Sequence, residues 1–202
     1  MNPSFKIGII LLAAGNSRRL GQPKQLVNYQ QQPLLQHVMN TTYPFSFGRR
    51  VLILGAQSET ILSQIETDEY DVIINENWKE GIASSIRVGL ETLMEKSGIT
   101  EVLILLSDQP YVTQKIISRL ISSHQPGQIT ACEYGETIGV PAIFSDRYFP
   151  ELRNLKGDQG AKKVILRHIQ RVAAVPFPLG EIDIDKPEDL EKLIKPESRE
   201  NK

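Results

Sequence analysis

Residues 7–24 read Ile-Gly-Ile-Ile-Leu-Leu-Ala-Ala-Gly-Asn-Ser-Arg-Arg-Leu-Gly-Gln-Pro-Lys, and this stretch constrains the fold more than any other. Its first half is an almost unbroken apolar run, the pattern of a strand covered on both faces. At Gly15 the run breaks into a short loop carrying two glycines, a serine, two arginines and a lysine. Glycine lets backbone N–H groups approach an anion closely and the cations neutralise it, so the pattern suits a phosphate-handling α/β protein. A basic surface turn is the plainer reading of the same letters. Two common phosphate loops are excluded. A Walker A loop ends in Gly-Lys-Ser/Thr, whereas Lys24 lies between Pro23 and Gln25, and a dinucleotide fingerprint needs G-x-G-x-x-G, whereas only Gly15 and Gly21 are present. Pro23 is expected to keep the loop from passing directly into a helix.

A chain of 202 residues accommodates one α/β domain with a full core, expected over residues 1–194, followed by a polar tail at 195–202. With 40% hydrophobic and 23% charged residues the composition is that of an ordinary soluble protein. A net charge of −1 argues against a general nucleic-acid binder. With no long apolar span and no signal-peptide pattern, no membrane association is expected and the expected location is the cytoplasm. The single cysteine, Cys132, has no cysteine partner for a disulfide or a zinc site and reads as a small buried strand residue.

Beyond the loop, strands and helices alternate. Residues 33–42 show helical spacing with Pro33 at the start, and His37 within them reads as a solvated or capped side chain. Strands are expected at 50–54 and 71–74, with a helix at 59–65 between them, which predicts right-handed βαβ units and a largely parallel sheet. The segment from Asn75 to Leu90 opens with polar groups at a strand end and runs into a helix over 82–96. Gly81 permits close backbone approach, and Ser84 and Ser85 offer hydroxyls at a helix start. Ser84 as a helix cap and Trp78 as a core anchor explain the same letters. Residues 101–106 form another doubly buried strand ending in Ser107-Asp108-Gln109-Pro110. A carboxylate at such a strand end suits Mg²⁺, while Asp108 as the cap of a helix over 113–123 is the alternative. Strands at 129–134 and 138–144 around Gly135-Glu136-Thr137 imply at least one antiparallel strand, with Pro141 at an edge or bulge. Asp158 is expected to cap a helix carrying Val164, Ile165 and Ile169. Asp183 and Asp185 alternate on a short strand and so share a face, Pro187 starts a closing helix, and the tail frays.

The first loop, L-A-A-G-x-S-x-R-x-G-x-P-K, with Ser17, Arg19 and Lys24 as its polar letters, resembles the signature of the MobA-like nucleotidyltransferases, most closely the molybdenum cofactor cytidylyltransferases. Four further segments match that family in order: N-x-x-W-x-x-G, D-Q-P, G-D-x-G-A and D-x-D, with Lys186 in place of the usual threonine. The resemblance implies a Rossmann-like, three-layer nucleotide-diphospho-sugar transferase fold. It implies a nucleotide site at Leu12, Ala13, Ala14, Gly15, Ser17, Arg19, Lys24, Asn77, Gly81, Ser84 and Ser85. It places the second substrate at Gly157, Asp158 and Gly160, and Mg²⁺ on Asp108 and Asp185, with Arg19, Lys24 and Asp108 carrying catalysis. Arg18 occupies a variable position.

The chemistry needs no catalytic triad. A phosphate monoester is mostly dianionic near neutral pH, its second pKa being about 6, and attacks the α-phosphorus of a nucleoside triphosphate as pyrophosphate leaves. The resemblance supplies the partners: CTP as donor, molybdopterin as acceptor, and a molybdenum hydroxylase as the recipient of the dinucleotide product. GTP as donor and a sugar or alditol phosphate as acceptor are rival readings. A cofactor-binding insertion chaperone without turnover is the non-enzymatic one.

Overall fold

The computed structural model describes residues 6–17, 20–95 and 98–182. Arg18, Arg19, Asp183, Asp185, the closing helix and the tail lie outside these residues. Nine strands and six helices are described, in the order β1 (Ile7–Ala13), β2 (Asn28–Tyr29), β3 (Gln32–Pro33), α1 (Leu34–Asn40), β4 (Arg49–Leu54), α2 (Ser58–Leu62), β5 (Asp71–Ile74), α3 (Ile82–Met94), β6 (Glu101–Leu106), α4 (Gln114–Ser123), β7 (Ile129–Tyr134), β8 (Thr137–Ser145), α5 (Phe149–Arg153), α6 (Lys162–Arg167) and β9 (Val172–Pro176).

Seven strands form one sheet in the order β5-β4-β1-β6-β8-β7-β9, and β2 and β3 form a separate ribbon. β1 is central because every residue of it is buried, and it pairs in parallel with β4 and β6. Strand alternation sorts its side chains into two cores. Ile9 and Leu11 join β4, β6, α1, α2 and α4 on one face, whereas Ile10 and Leu12 join α3, α5 and α6 on the other. This is the expected three-layer architecture. Burying each such side chain contributes about 1.5–3 kcal/mol. β8 runs antiparallel to both β6 and β7, and β7 returns to parallel pairing with β9. The carboxyl ends of β1, β6, β7 and β9 therefore share one end of the sheet. The sheet grows from β1 toward β4 on one side and β6 on the other, so a crevice opens between the ends of β1 and β6.

Several expectations are corrected. A short 3-10 turn, Lys24–Leu26, starts directly after Pro23, because proline's fixed φ suits the residue preceding a helical turn. Pro33 closes β3 and flanks α1, which ends at Asn40. Of the two places expected for Pro141, the edge is excluded because β8 lies inside the sheet, and the bulge is borne out. Pro141 sits with Val140 in a bulge where the register jumps between Ala131 and Cys132, and the bulge accommodates a residue with no N–H to give the ladder. Asp158 does not cap α6, which begins at Lys162 with Ala161 at its N-cap. Ile169 lies beyond the end of α6 in a 3-10 turn and is 43% exposed. His168 ends the helix by binding Glu151 Oε1 at 2.6 Å and packing on Tyr148. His37 is half-buried, its ring edge-on to Tyr29 with centroids 4.7 Å apart. Cys132 is buried in β7, as expected.

Candidate active site

The crevice holds a cleft of about 480 Å³, within the usual range for small-molecule sites. One wall is the loop leaving β1, where Leu12, Ala13, Ala14, Gly15 and Asn16 face the cleft. Buried Gln25 gives this loop its shape. Its Nε2 donates to the carbonyls of Ala13 at 2.6 Å and Gly15 at 3.2 Å. Ser17, at φ 47°, donates its hydroxyl to Gln25 Oε1 at 3.5 Å and accepts the Lys24 N–H at 3.0 Å. Ser17 thus braces the loop from behind and is not among the residues lining the cleft. A small side-chain clamp holds successive backbone groups in a strained turn, an arrangement that suits an anion.

Lys24 and Asp108 meet at the floor. Lys24 Nζ and Asp108 Oδ2 form an ion pair, with the side chains 18% and 14% exposed. Asp108 reaches this position because β6 continues β1's ladder one step further, Ser107 N–H donating to the Leu12 carbonyl at 3.1 Å. The cap of α4 is Thr113, whose side chain accepts from Ile116 N–H, so the helix makes no claim on Asp108. Asp108 Oδ1 is buried and has no hydrogen-bond partner. A buried carboxylate oxygen without a donor suits a divalent cation, and Mg²⁺ takes one or two protein carboxylates beside substrate phosphates. Asp185, the second expected ligand, lies outside the described residues, and among those residues no group of three or more potential ligands assembles.

The opposite wall comes from the segment after β5. Buried Asn75 organises it, donating through Nδ2 to Ser84 Oγ at 2.8 Å and Ser85 Oγ at 3.0 Å and accepting the Asn77 N–H at 3.0 Å. Ser84 is turned inward, its hydroxyl donating to Gly81 and Asn77 carbonyls. Exposed Asn77 flanks the 3-10 turn Trp78–Glu80. Neither lines the cleft, whereas Gly81 and Ser85 do, together with Trp78, Lys79 and Ile82. Lys79 Nζ stands 5.6 Å from the Trp78 ring centre.

Of the segment expected to take the second substrate, Asp158 faces the cleft and Gly157 and Gly160 do not. Gly157 instead docks this loop onto the start of α3, its carbonyl accepting the Ala83 N–H at 3.1 Å. Gly81, at φ 117°, is needed there, because a Cβ would sit 2.4 Å from the Gly157 backbone. Arg87 closes the junction by donating to the Leu155 carbonyl at 2.8 Å and to Glu80 Oε2 at 2.6 Å. That guanidinium, above all, holds the Glu80 carboxyl below its usual range. The structure therefore brings together Leu12, Ala13, Ala14, Gly15, Lys24, Gly81, Ser85, Asp108 and Asp158.

A mostly parallel central sheet with a glycine-bearing loop and a lysine–aspartate pair at its switch point defines a nucleotide-handling α/β protein. The chain belongs to the family described as the MobA-like NTP transferase domain, whose profile it matches over residues 9–172, and it is a nucleotidyltransferase of that family. Nicotine blue oxidoreductase of Paenarthrobacter nicotinovorans is 28% identical over 198 residues, spanning 92% of this chain and 95% of its own. Purine catabolism protein PucB of Bacillus subtilis is 26% identical, spanning 96% and 98%. Among solved structures, Rv0371c of Mycobacterium tuberculosis superimposes with a TM-score of 0.83 at 30% identity, over 95% of this chain and 98% of its own. A complex of Rv0371c with manganese gives a TM-score of 0.78 at 28% identity, over 93% and 97%.

Proposed function

We propose that this nucleotidyltransferase moves CMP from CTP onto the terminal phosphate of molybdopterin, or its molybdenum form, with pyrophosphate as the other product. The observation that carries the reading is the Lys24–Asp108 pair below the clamped β1 loop, with Asp108 Oδ1 buried and without a hydrogen-bond donor. The reaction needs neither nucleophilic side chain nor general base, because the acceptor phosphate is already anionic. One of its oxygens forms the new bond to the α-phosphorus, and the bond to the β-phosphate oxygen breaks with its electron pair leaving on pyrophosphate. The protein's task is electrostatic. Loop N–H groups from Ala14 onward and the Lys24 ammonium hold the triphosphate, and Arg19 adds a second cation. Asp108 and Asp185 would hold Mg²⁺, which when bound neutralises phosphate charge and aligns the two reactants. The L-A-A-G sequence at residues 12–15 and the D-Q-P triplet at 108–110 support CTP over GTP. Asp158, across the cleft, is assigned to the acceptor.

Pyrophosphate release with Mg²⁺, each of the four nucleoside triphosphates and molybdopterin tests this. Release with CTP that requires the pterin is expected. Release with GTP alone moves the product to the guanine dinucleotide. Silence with every donor, in a folded protein, sinks the pterin reading and turns attention to sugar phosphates. Asp108→Ala should reduce turnover by roughly 10²–10³-fold, the scale of losing one group that stabilises transition-state charge; an active variant rejects Asp108 as a metal ligand.

A further inference from the structure

Asn75 follows β5 directly and is 2% exposed. Its backbone is pinned on both sides, the N–H donating to the Leu54 carbonyl at the end of β4 at 2.8 Å and the carbonyl accepting the Trp78 N–H at 3.2 Å. The network fixes which way its amide points, because the Asn77 N–H, which can only donate, faces Oδ1 at 3.0 Å. Nδ2 therefore turns both of its hydrogens to the two serines at the start of α3, Ser84 Oγ at 2.8 Å and Ser85 Oγ at 3.0 Å. The serines differ in where their own protons go. Ser84 donates inside the protein, to the carbonyls of Gly81 at 2.9 Å and Asn77 at 3.1 Å. Ser85 finds the Gly81 carbonyl, one turn back, already taken by the Ser84 hydroxyl and N–H. Among the described residues nothing accepts the Ser85 proton, yet Ser85 is 3% exposed and lines the cleft. A buried hydroxyl whose oxygen already accepts from a fixed donor has its proton left to offer, and the open side here is the cleft.

We propose that Asn75 is a positioning residue for the nucleotide. By holding Ser85 Oγ as an acceptor it aims the Ser85 proton into the cleft, where the hydroxyl donates to an oxygen or ring nitrogen of the bound nucleoside triphosphate. Ser84 has a different task, which is to lock the start of α3. The inference rests on the cleft taking a nucleoside triphosphate, and not on which base it carries or which second substrate it meets.

The test is equilibrium binding of CTP to the full chain with Mg²⁺ and no second substrate. It is read by calorimetry and by the fluorescence of Trp78, the chain's single tryptophan and part of the cleft wall. GTP replaces CTP if the wild type binds only GTP. Ser85→Ala should stay folded and bind about 3–10-fold more weakly, the scale of one lost hydrogen bond. Asn75→Asp keeps the shape and the acceptor for the Asn77 N–H but presents two acceptor oxygens, so Ser85 turns its proton back to the carboxylate. It should weaken binding at least as much. Adding Ser85→Ala to it should then change affinity by less than about twofold, the mark of two groups acting as one. A buried charge that merely repels phosphate predicts the full Ser85→Ala loss in both backgrounds, and that outcome overturns the proposal. So does a Ser85→Ala protein with wild-type affinity. Should Asn75→Asp fail to fold, Asn75→Leu completes the same cycle without a charge. A wild-type chain that binds CTP but releases no pyrophosphate with molybdopterin sinks the transfer reading and leaves this comparison intact. One that binds none of the four triphosphates overturns the inference directly.

Discussion

Replacing Gln25 by alanine would leave the carbonyls of Ala13 and Gly15 without their side-chain donor and Ser17 without its acceptor. Unpaired buried polar groups cost about 1–3 kcal/mol, so Gln25→Ala should lower stability by that order and raise KM for the triphosphate more than it lowers kcat. Melts and initial-rate kinetics check both, and an unchanged KM would remove Gln25 from the nucleotide grip. His37 makes a second case. Burial, partly offset by a hydrogen bond to the Pro110 backbone, pushes its pKa below 6.5, and its Nε2 is buried without a partner. As pH falls below 6.5 the unfolded chain takes up a proton that folded His37 refuses, so stability declines until the folded pKa is reached. His37→Gln should flatten this part of a Tm-against-pH curve, with wild type measured alongside.

Among elements, the junction of α3 with the 155–161 loop is the one most exposed to a single change. Gly81→Ala puts a methyl group against the Gly157 backbone at a φ that side chains rarely adopt. Strain of about 1–3 kcal/mol is expected, with the acceptor KM rising as Asp158 moves; a variant with native Tm and acceptor KM would show that the loop docks by other contacts. The sequence made such elements legible to different degrees. β1, β5 and β6 stand at their expected positions because doubly covered or sharply bounded strands appear as apolar runs. β9 escaped notice, since Val-Ala-Ala-Val at a half-exposed sheet edge carries little pattern. Within the site, Lys24 and Asp108 were legible from loop chemistry and strand-end position. Ser84 was misplaced, and the inward-turned roles of Asn75 and Gln25 were not read, for one shared reason: which way a small polar side chain turns depends on packing from remote segments. Here Asn75 draws Ser84 inward, and only the folded chain reveals it.

Over the whole molecule, two apolar layers flank one sheet, and the strands between them couple the layers. Cys132 lies inside that sheet, and burial pushes its thiol up to about 12. Since the thiolate is the reactive form, a maleimide reagent should leave the native protein unlabelled at pH 8. Labelling should then rise in step with loss of helical circular dichroism during urea unfolding. Labelling well before that transition would reveal a separate opening of β7. The reversed direction of β8 has a consequence for how such a protein can diversify. Because β8 points away from the cleft while β7 and β9 point toward it, the Gly135 turn and the chain after Pro176 both emerge on the same rim as the β1 loop. Length and sequence changes at these two places can reshape what approaches from the second half of the chain. Such changes leave the β1 loop and the Lys24–Asp108 pair, which other elements supply, in place.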